Sequence, residues 1–161
     1  MAIGLTMAEL LAQFPRQGKI DWIGVRPERR ADMVSLNHVD ISENGLTGDH
    51  RTKPGKRAVT LIQAEHLPAI AAMIGQNQID PAQLRRNLVV SGINLLALKD
   101  REFQIGDVIL QGTGMCAPCS RMEEEFGQGG YNAVRGHGGI TAQVLEPGLI
   151  KLGDHISAKL S

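Results

Sequence analysis

Aromatic side chains make up only 3% of the 161 residues, so any core must be aliphatic. One Trp and one Tyr are too few for the stacked platforms that hold single-stranded nucleic acid. Net charge is absent, with 17 Lys and Arg against 17 Asp and Glu, so no bulk field draws the chain to nucleic acid or to a membrane surface. No stretch approaches the roughly 20 apolar residues that span a bilayer. The opening Met-Ala-Ile-Gly-Leu has neither the basic nor the apolar region of a signal peptide. The expectation is therefore a cytoplasmic protein whose cysteines stay reduced, with no nucleic acid and no membrane among its partners. The length suits a single domain over residues 1–161, large enough to bury a core without disulfides or a structural metal.

Cysteine is scarce as well, and both copies stand together. Gly112-Thr-Gly-Met-Cys-Ala-Pro-Cys-Ser-Arg-Met122 places Cys116 and Cys119 at C-x-x-C spacing in a glycine-rich turn. A thiol acts as nucleophile or metal ligand only as the thiolate. Pro118 can open a helix at its first position, which would put Cys119 in the first turn, where free N–H groups favour negative charge. Arg121 adds a nearby cation. Against this stands the plain alternative of two small buried hydrophobes.

Zinc finds little support, because a structural site wants four ligands and His38, His50, His66, His137 and His155 form no H-x-x-x-H pair. A thioredoxin-like dithiol would sit after the first strand of an early βαβ unit, whereas this pair comes late. No Ser-His-Asp order, nucleophile elbow or fixed-period repeat is present.

The rest of the chain reads as short strands broken by glycine turns. Thr6-Met-Ala-Glu9 is a capping box that opens a short amphipathic helix ending at Pro15, within a helical extension over 1–19. That helix hints at packing on a second subunit, hence a homodimer. The body runs over 20–160. Strands are expected at Ile20–Val25, from Met33 to Ile41, at Arg57–Ile62, Asn87–Val90, Val108–Leu110 and Ile140–Leu145. Helices are expected at Gln63–Ile74, from Asp80-Pro81, at Pro118–Phe126 and at Asn132–Arg135. Ile105-Gly-Asp107 and Leu152-Gly-Asp154 look like two hairpin turns. Many strands with few helices between them predict a mainly β (α+β) protein, a β-barrel with several short peripheral helices.

Three further clusters could carry chemistry. His50-Arg51-x-Lys53 with Lys56-Arg57 offers cations beside glycines, a pairing suited to phosphate, although such loops are usually just solvated. Arg85-Arg86-Asn87 could meet a ligand or complement a helix C-terminus. Arg135-Gly-His137-Gly-Gly139 permits close approach of backbone to a ligand, or is a plain turn. Glu123, Glu124 and Glu125 read as a solvated run.

Taken in order, Gly45-Leu-Thr-Gly-Asp49, Arg57-Ala-Val-Thr-Leu-Ile62, Arg85-Arg-Asn-Leu-Val-Val-Ser-Gly92, Phe103-Gln-Ile-Gly-Asp107, Cys116-Ala-Pro-Cys119 and Gly138-Gly-Ile140 resemble a MOSC domain, the domain at the C-terminus of molybdenum cofactor sulfurases. The resemblance spans roughly residues 20 to 160. It implies a MOSC-type β-barrel that holds the molybdenum cofactor (molybdopterin) or handles its sulfur, with Cys119 as molybdenum ligand or sulfur carrier. It implies that Arg51 or Arg57, together with Arg85 and Asn87, hold the pterin phosphate. Cys116 would be a neighbouring thiol, a resolving partner or inert, and His137 would complete the cofactor-binding set. The activity implied is that of an oxidoreductase or sulfurtransferase. Its partners would be molybdopterin, a small N-hydroxylated substrate, and a redox or sulfur-donor protein. A carrier without turnover and a Cys116–Cys119 dithiol switch remain the alternatives.

Overall fold

The computed structural model describes residues 4–51 and 53–159. Eleven strands are present among the described residues: β1 (Gly18–Val25), β2 (Val34–Leu36), β3 (His38–Ser42), β4 (Gly45–Leu46), β5 (Val59–Gln63), β6 (Leu88–Ser91), β7 (Glu102–Ile105), β8 (Val108–Met115), β9 (Ile140–Glu146), β10 (Gly148–Lys151) and β11 (His155–Ala158). Seven of them close a barrel. Its order is β11-β7-β8-β9-β5-β6-β1, and β1 returns to β11 through Gly18 opposite Ile156. Closure leaves the ring no free edge. β2 is added outside, on β1, while β10, β3 and β4 form a separate small sheet. The expected β-barrel with short peripheral helices is therefore the observed fold.

The helices are α1 (Met7–Leu11), α2 (His66–Met73), α3 (Arg121–Phe126) and α4 (Gly130–Val134), with single 3-10 turns at Pro81–Leu84 and Leu95–Leu98. Among the described residues, no helix is long and apolar enough to cross a membrane. Local signals explain several starts. Thr6 and Glu9 close a capping box on α1, and Asp80 and Gln83 close another on the first 3-10 turn.

Among the described strands, β5 and β6 are the one parallel pair, and the crossover between them carries α2 and the 3-10 turn at 81–84. A parallel connection must travel over the sheet, so it covers one face of these two strands. That is why both faces of β5 and β6 are apolar. Leu61, Leu88 and Val90 point into the barrel with Ile23, Phe103, Leu110 and Ile156. Ile62 and Val89 point outward, into a second cluster with Ile70, Leu84, Met122 and Val134. Val59, Leu61, Ile62, Leu88 and Val90 are all fully buried, as expected for strands covered on both sides.

Three sequence readings change. The apolar run from Met33 to Ile41 is not one strand. It breaks at Asn37 into β2 and β3, which belong to different sheets. Gly106-Asp107 does turn the β7–β8 hairpin. Gly153-Asp154, however, is a corner, because β10 pairs with β3 and β11 pairs with the barrel. Asp154 makes that corner by accepting the backbone N–H of Lys151 at 2.8 Å. Finally, α3 starts at Arg121 rather than at Pro118.

Candidate functional site

The barrel delivers the cysteine loop through β8. Its pairing with β9 slips between Gly112 and Gly114, and a bulge of this kind bends and re-aims a strand end. Met115 is the last paired residue, opposite Ile140. Cys116 then donates its backbone N–H to the Gly139 carbonyl at 2.8 Å, and its side chain is buried. The Ala117 carbonyl accepts from Arg86 Nη2 at 2.9 Å. These two ties keep 116–118 out of a helical turn. Cys119 therefore lies just ahead of α3, two residues before Arg121, and not in its first turn. It is exposed, and both cysteines are free thiols.

Arg85 lies near enough to Arg26, Arg121, Cys119 and Glu125 for their charges to act on it. Arg85 follows the 3-10 turn at 81–84 in a left-handed conformation, φ 58°, and is 5% exposed. Its Nη2 donates to the Ala31 carbonyl at 2.7 Å. Burial is the main force holding its guanidinium below the ordinary arginine range. Repulsion from Arg121 and Arg26 adds to burial, while Cys119 and Glu125 act in the opposite sense. Arg26 stands at the end of β1, and its backbone N–H is accepted by Asp49 at 2.8 Å. Asp49 is buried, and its Oδ1 lies 3.9 Å from Arg26 Nε and 3.7 Å from His50 Nδ1. The backbone N–H of His50 closes the link by donating to the Arg26 carbonyl at 2.7 Å. Asp49 thus ties the basic loop that leads into Arg51 to the end of β1.

The Nε atoms of Arg26, Arg51 and Arg121 are buried and have no hydrogen-bond partner among the described residues. Native interiors rarely leave such donors unpaired unless an ion or ligand meets them. Guanidinium forks match phosphate oxygens, and a soft thiolate suits a thiophilic metal. Among the described residues, no group of three or more His, Cys, Asp or Glu is placed to hold a metal. The chemistry on offer is one exposed thiol near the buried Arg85 guanidinium, with Arg121 two residues on. That set fits an anionic organic cofactor that brings its own metal and needs one protein ligand.

The other expected site residues sit elsewhere. Asn87 is 2% exposed and braces three strands. Its Oδ1 accepts from the Thr60 N–H and hydroxyl, each at 3.1 Å, and its Nδ2 donates to the Gly24 carbonyl at 3.2 Å. Arg57 is exposed at the entry to β5, with no side-chain hydrogen bond or ion pair to a described residue. His137 packs edge-on against His66, ring centroids 5.0 Å apart, and its Nδ1 is buried without a partner. Burial, then the neighbouring His137, hold His66 below the ordinary imidazole range, and Glu65 opposes them. His66 also lines a cavity of about 230 Å³ together with Met115, Gly136 and Gly139. Glu123, Glu124 and Glu125 are exposed, as a solvated run should be, and Glu123 also accepts the N–H groups of Tyr131 at 3.0 Å and Gly129 at 2.9 Å.

Arg26 and Asp49 were not among the candidate site residues read from the sequence, and Arg86 entered only as a member of the Arg85-Arg86-Asn87 cluster. Only Asp49, a carboxylate closing a Gly-x-x-Gly-Asp turn beside a basic loop, carried a local signal.

The MOSC domain family matches residues 38–157. Among solved structures, the YuaD protein from Bacillus subtilis aligns with a TM-score of 0.78 at 19% identity, covering 89% of this chain and 97% of that one. YiiM from Escherichia coli aligns at 0.70 and 19% identity, covering 90% and 70%. YiiM from Geobacillus stearothermophilus aligns at 0.73 and 16% identity, covering 88% and 75%. No curated protein sequence gives a significant match.

Proposed function

Because the chain belongs to the MOSC domain family, we propose that it holds the molybdenum cofactor, with Cys119 as the metal's protein ligand or as the carrier of a sulfur atom destined for it. Arg85, Arg121, Arg26 and Arg51 would take the anionic phosphate end. The observation that carries this reading is the exposed Cys119 thiol near the buried Arg85 guanidinium and two residues before Arg121, whose buried Nε–H has no partner among the described residues. When bound, the cofactor supplies redox chemistry at molybdenum, as cofactors do for reactions that side chains cannot perform. The chain's own residues bind and orient. The arginines neutralise the phosphate, Asp49 holds Arg26 and the basic loop in register, and the exposed loop leaves the thiol accessible to a small substrate or a donor protein. An oxidoreductase and a sulfur carrier both need this arrangement.

The test is elemental analysis of protein purified under reducing conditions. Wild type should retain molybdenum, Cys119→Ala should lose it, and Cys116→Ala should keep most of it. Full metal content in Cys119→Ala overturns the ligand role. Mass spectrometry for a persulfide on Cys119 separates carrier from ligand. Reduction of an N-hydroxylated base by the protein with an electron donor marks it as an oxidoreductase. A Cys116–Cys119 disulfide without bound metal would mark a dithiol switch instead.

A further inference from the structure

We infer that Arg86 is a positioning residue for Cys119: it locks the loop carrying the thiol against the glycine turn and so sets the thiol relative to the cation of Arg85. This rests on the reading of Cys119 as the working group. Arg86 is 5% exposed and forms no ion pair with a described carboxylate. Buried charges are normally paired, so an arginine answered only by carbonyls calls for a reason. Its three nitrogens reach three different segments. Nε donates to the Gly138 carbonyl at 2.8 Å, Nη1 to Leu84 at 3.2 Å and Nη2 to Ala117 at 2.9 Å.

Those segments are the glycine turn, the end of the 3-10 turn that presents Arg85, and the cysteine loop itself. One rigid fork therefore fixes Cys119 and Arg85 relative to each other. The joint is close-packed. A Cβ on Gly138 would collide with the Cys116 carbonyl and would come within 3.2 Å of Arg86 Nη2. The backbone tie from Cys116 to Gly139 lies beside it. Ala117 is the last residue of the loop held from outside, and Cys119 stands two residues beyond it. A lysine keeps the charge but has one nitrogen in place of three, so it cannot hold all three carbonyls.

The test reads the charge around the thiol without cofactor. Cys119 is alkylated with iodoacetate and with iodoacetamide, and its modification is followed by fragment mass spectrometry. A thiol among cations prefers the anionic reagent relative to the same thiol in the unfolded chain. The wild type should show that preference. Arg86→Lys, which conserves charge, should lower it roughly threefold, the scale of a displaced partly exposed charge interaction. Arg86→Met should lower it further. Gly138→Ala strains the same joint from the opposite side, should act in the same direction, and decides the matter if the Arg86 variants do not fold. A folded Arg86→Lys or Gly138→Ala with the wild-type ratio overturns the positioning role alone. A wild-type ratio no higher than that of the unfolded chain overturns the proposed function as well.

Discussion

Replacing Asn87 with alanine deletes a brace shared by three strands. The side chain receives two hydrogen bonds from Thr60 on β5 and gives one to Gly24 on β1, at 3.1, 3.1 and 3.2 Å. It does so at 2% exposure, where water cannot substitute. The Thr60 hydroxyl keeps a role, because it also accepts the Asn87 backbone N–H at 3.0 Å. The Gly24 carbonyl loses its side-chain donor but still accepts none from solvent at that buried position. Each lost hydrogen bond is worth about 1 kcal/mol net, and a buried group left unsatisfied costs more. The sum is about 3 kcal/mol, a large fraction of the roughly 5–15 kcal/mol that holds a domain together. With a urea m value of about 2 kcal/mol/M, the unfolding midpoint should fall by about 1.5 M with m unchanged. The assay is equilibrium urea unfolding followed by circular dichroism, alongside molybdenum content of the folded protein. A midpoint within about 0.3 M of wild type at the same m value, with molybdenum lost, would refute the brace and make Asn87 a cofactor contact.

Gly139→Ala should destabilise strongly or prevent folding. Gly139 has φ +87° and its Cβ would strike the Leu61 carbonyl, so both backbone strain and collision oppose any side chain; soluble yield and thermal unfolding check this. Glu123 is held below the ordinary carboxylate range by the N–H groups of Tyr131 and Gly129. Its depressed value means that the stabilisation is present above pH 4.5 and is lost as pH falls through the folded value. The stability gap between wild type and Glu123→Gln should therefore narrow on acidification; urea midpoints at neutral and acidic pH read it, and a constant gap sinks the assignment. His66 is likewise depressed, by burial first and by His137 second, so its neutral form supports the fold above pH 6.5 and that support is lost as pH falls. His66→Gln should flatten the pH dependence of the melting temperature below that point, and an unchanged slope would count against it.

Much of the fold was legible locally. The capping boxes at Thr6–Glu9 and Asp80–Gln83 are contacts between residues three apart, so sequence spacing alone reveals them. Strand periodicity placed β1, β5, β6, β8 and β9 to within a few residues. What failed had a non-local cause. Pro118 suggested a helix start, but Arg86 and Gly139 hold the preceding residues extended. Leu152-Gly-Asp154 looked like its hairpin counterpart at 105–107, yet the strands on its two sides pair in different sheets. Glu123 is exposed, as read, but its hydrogen bonds to the turn into the next helix carry no local signal.

By itself the sequence determined most of the barrel strands, the β7–β8 turn and a pair of cysteines just after β8, because propensity and periodicity act over a few residues. Only the closed barrel decided that Arg85 comes near Arg26, Arg121 and Cys119, because β1, the β5–β6 crossover and the loop after β8 end close together. The same closure made Arg86, the chain neighbour of Arg85, the joint between the cysteine loop and the glycine turn. No local pattern separates two adjacent arginines; the direction each must point is set by what the barrel packs around them.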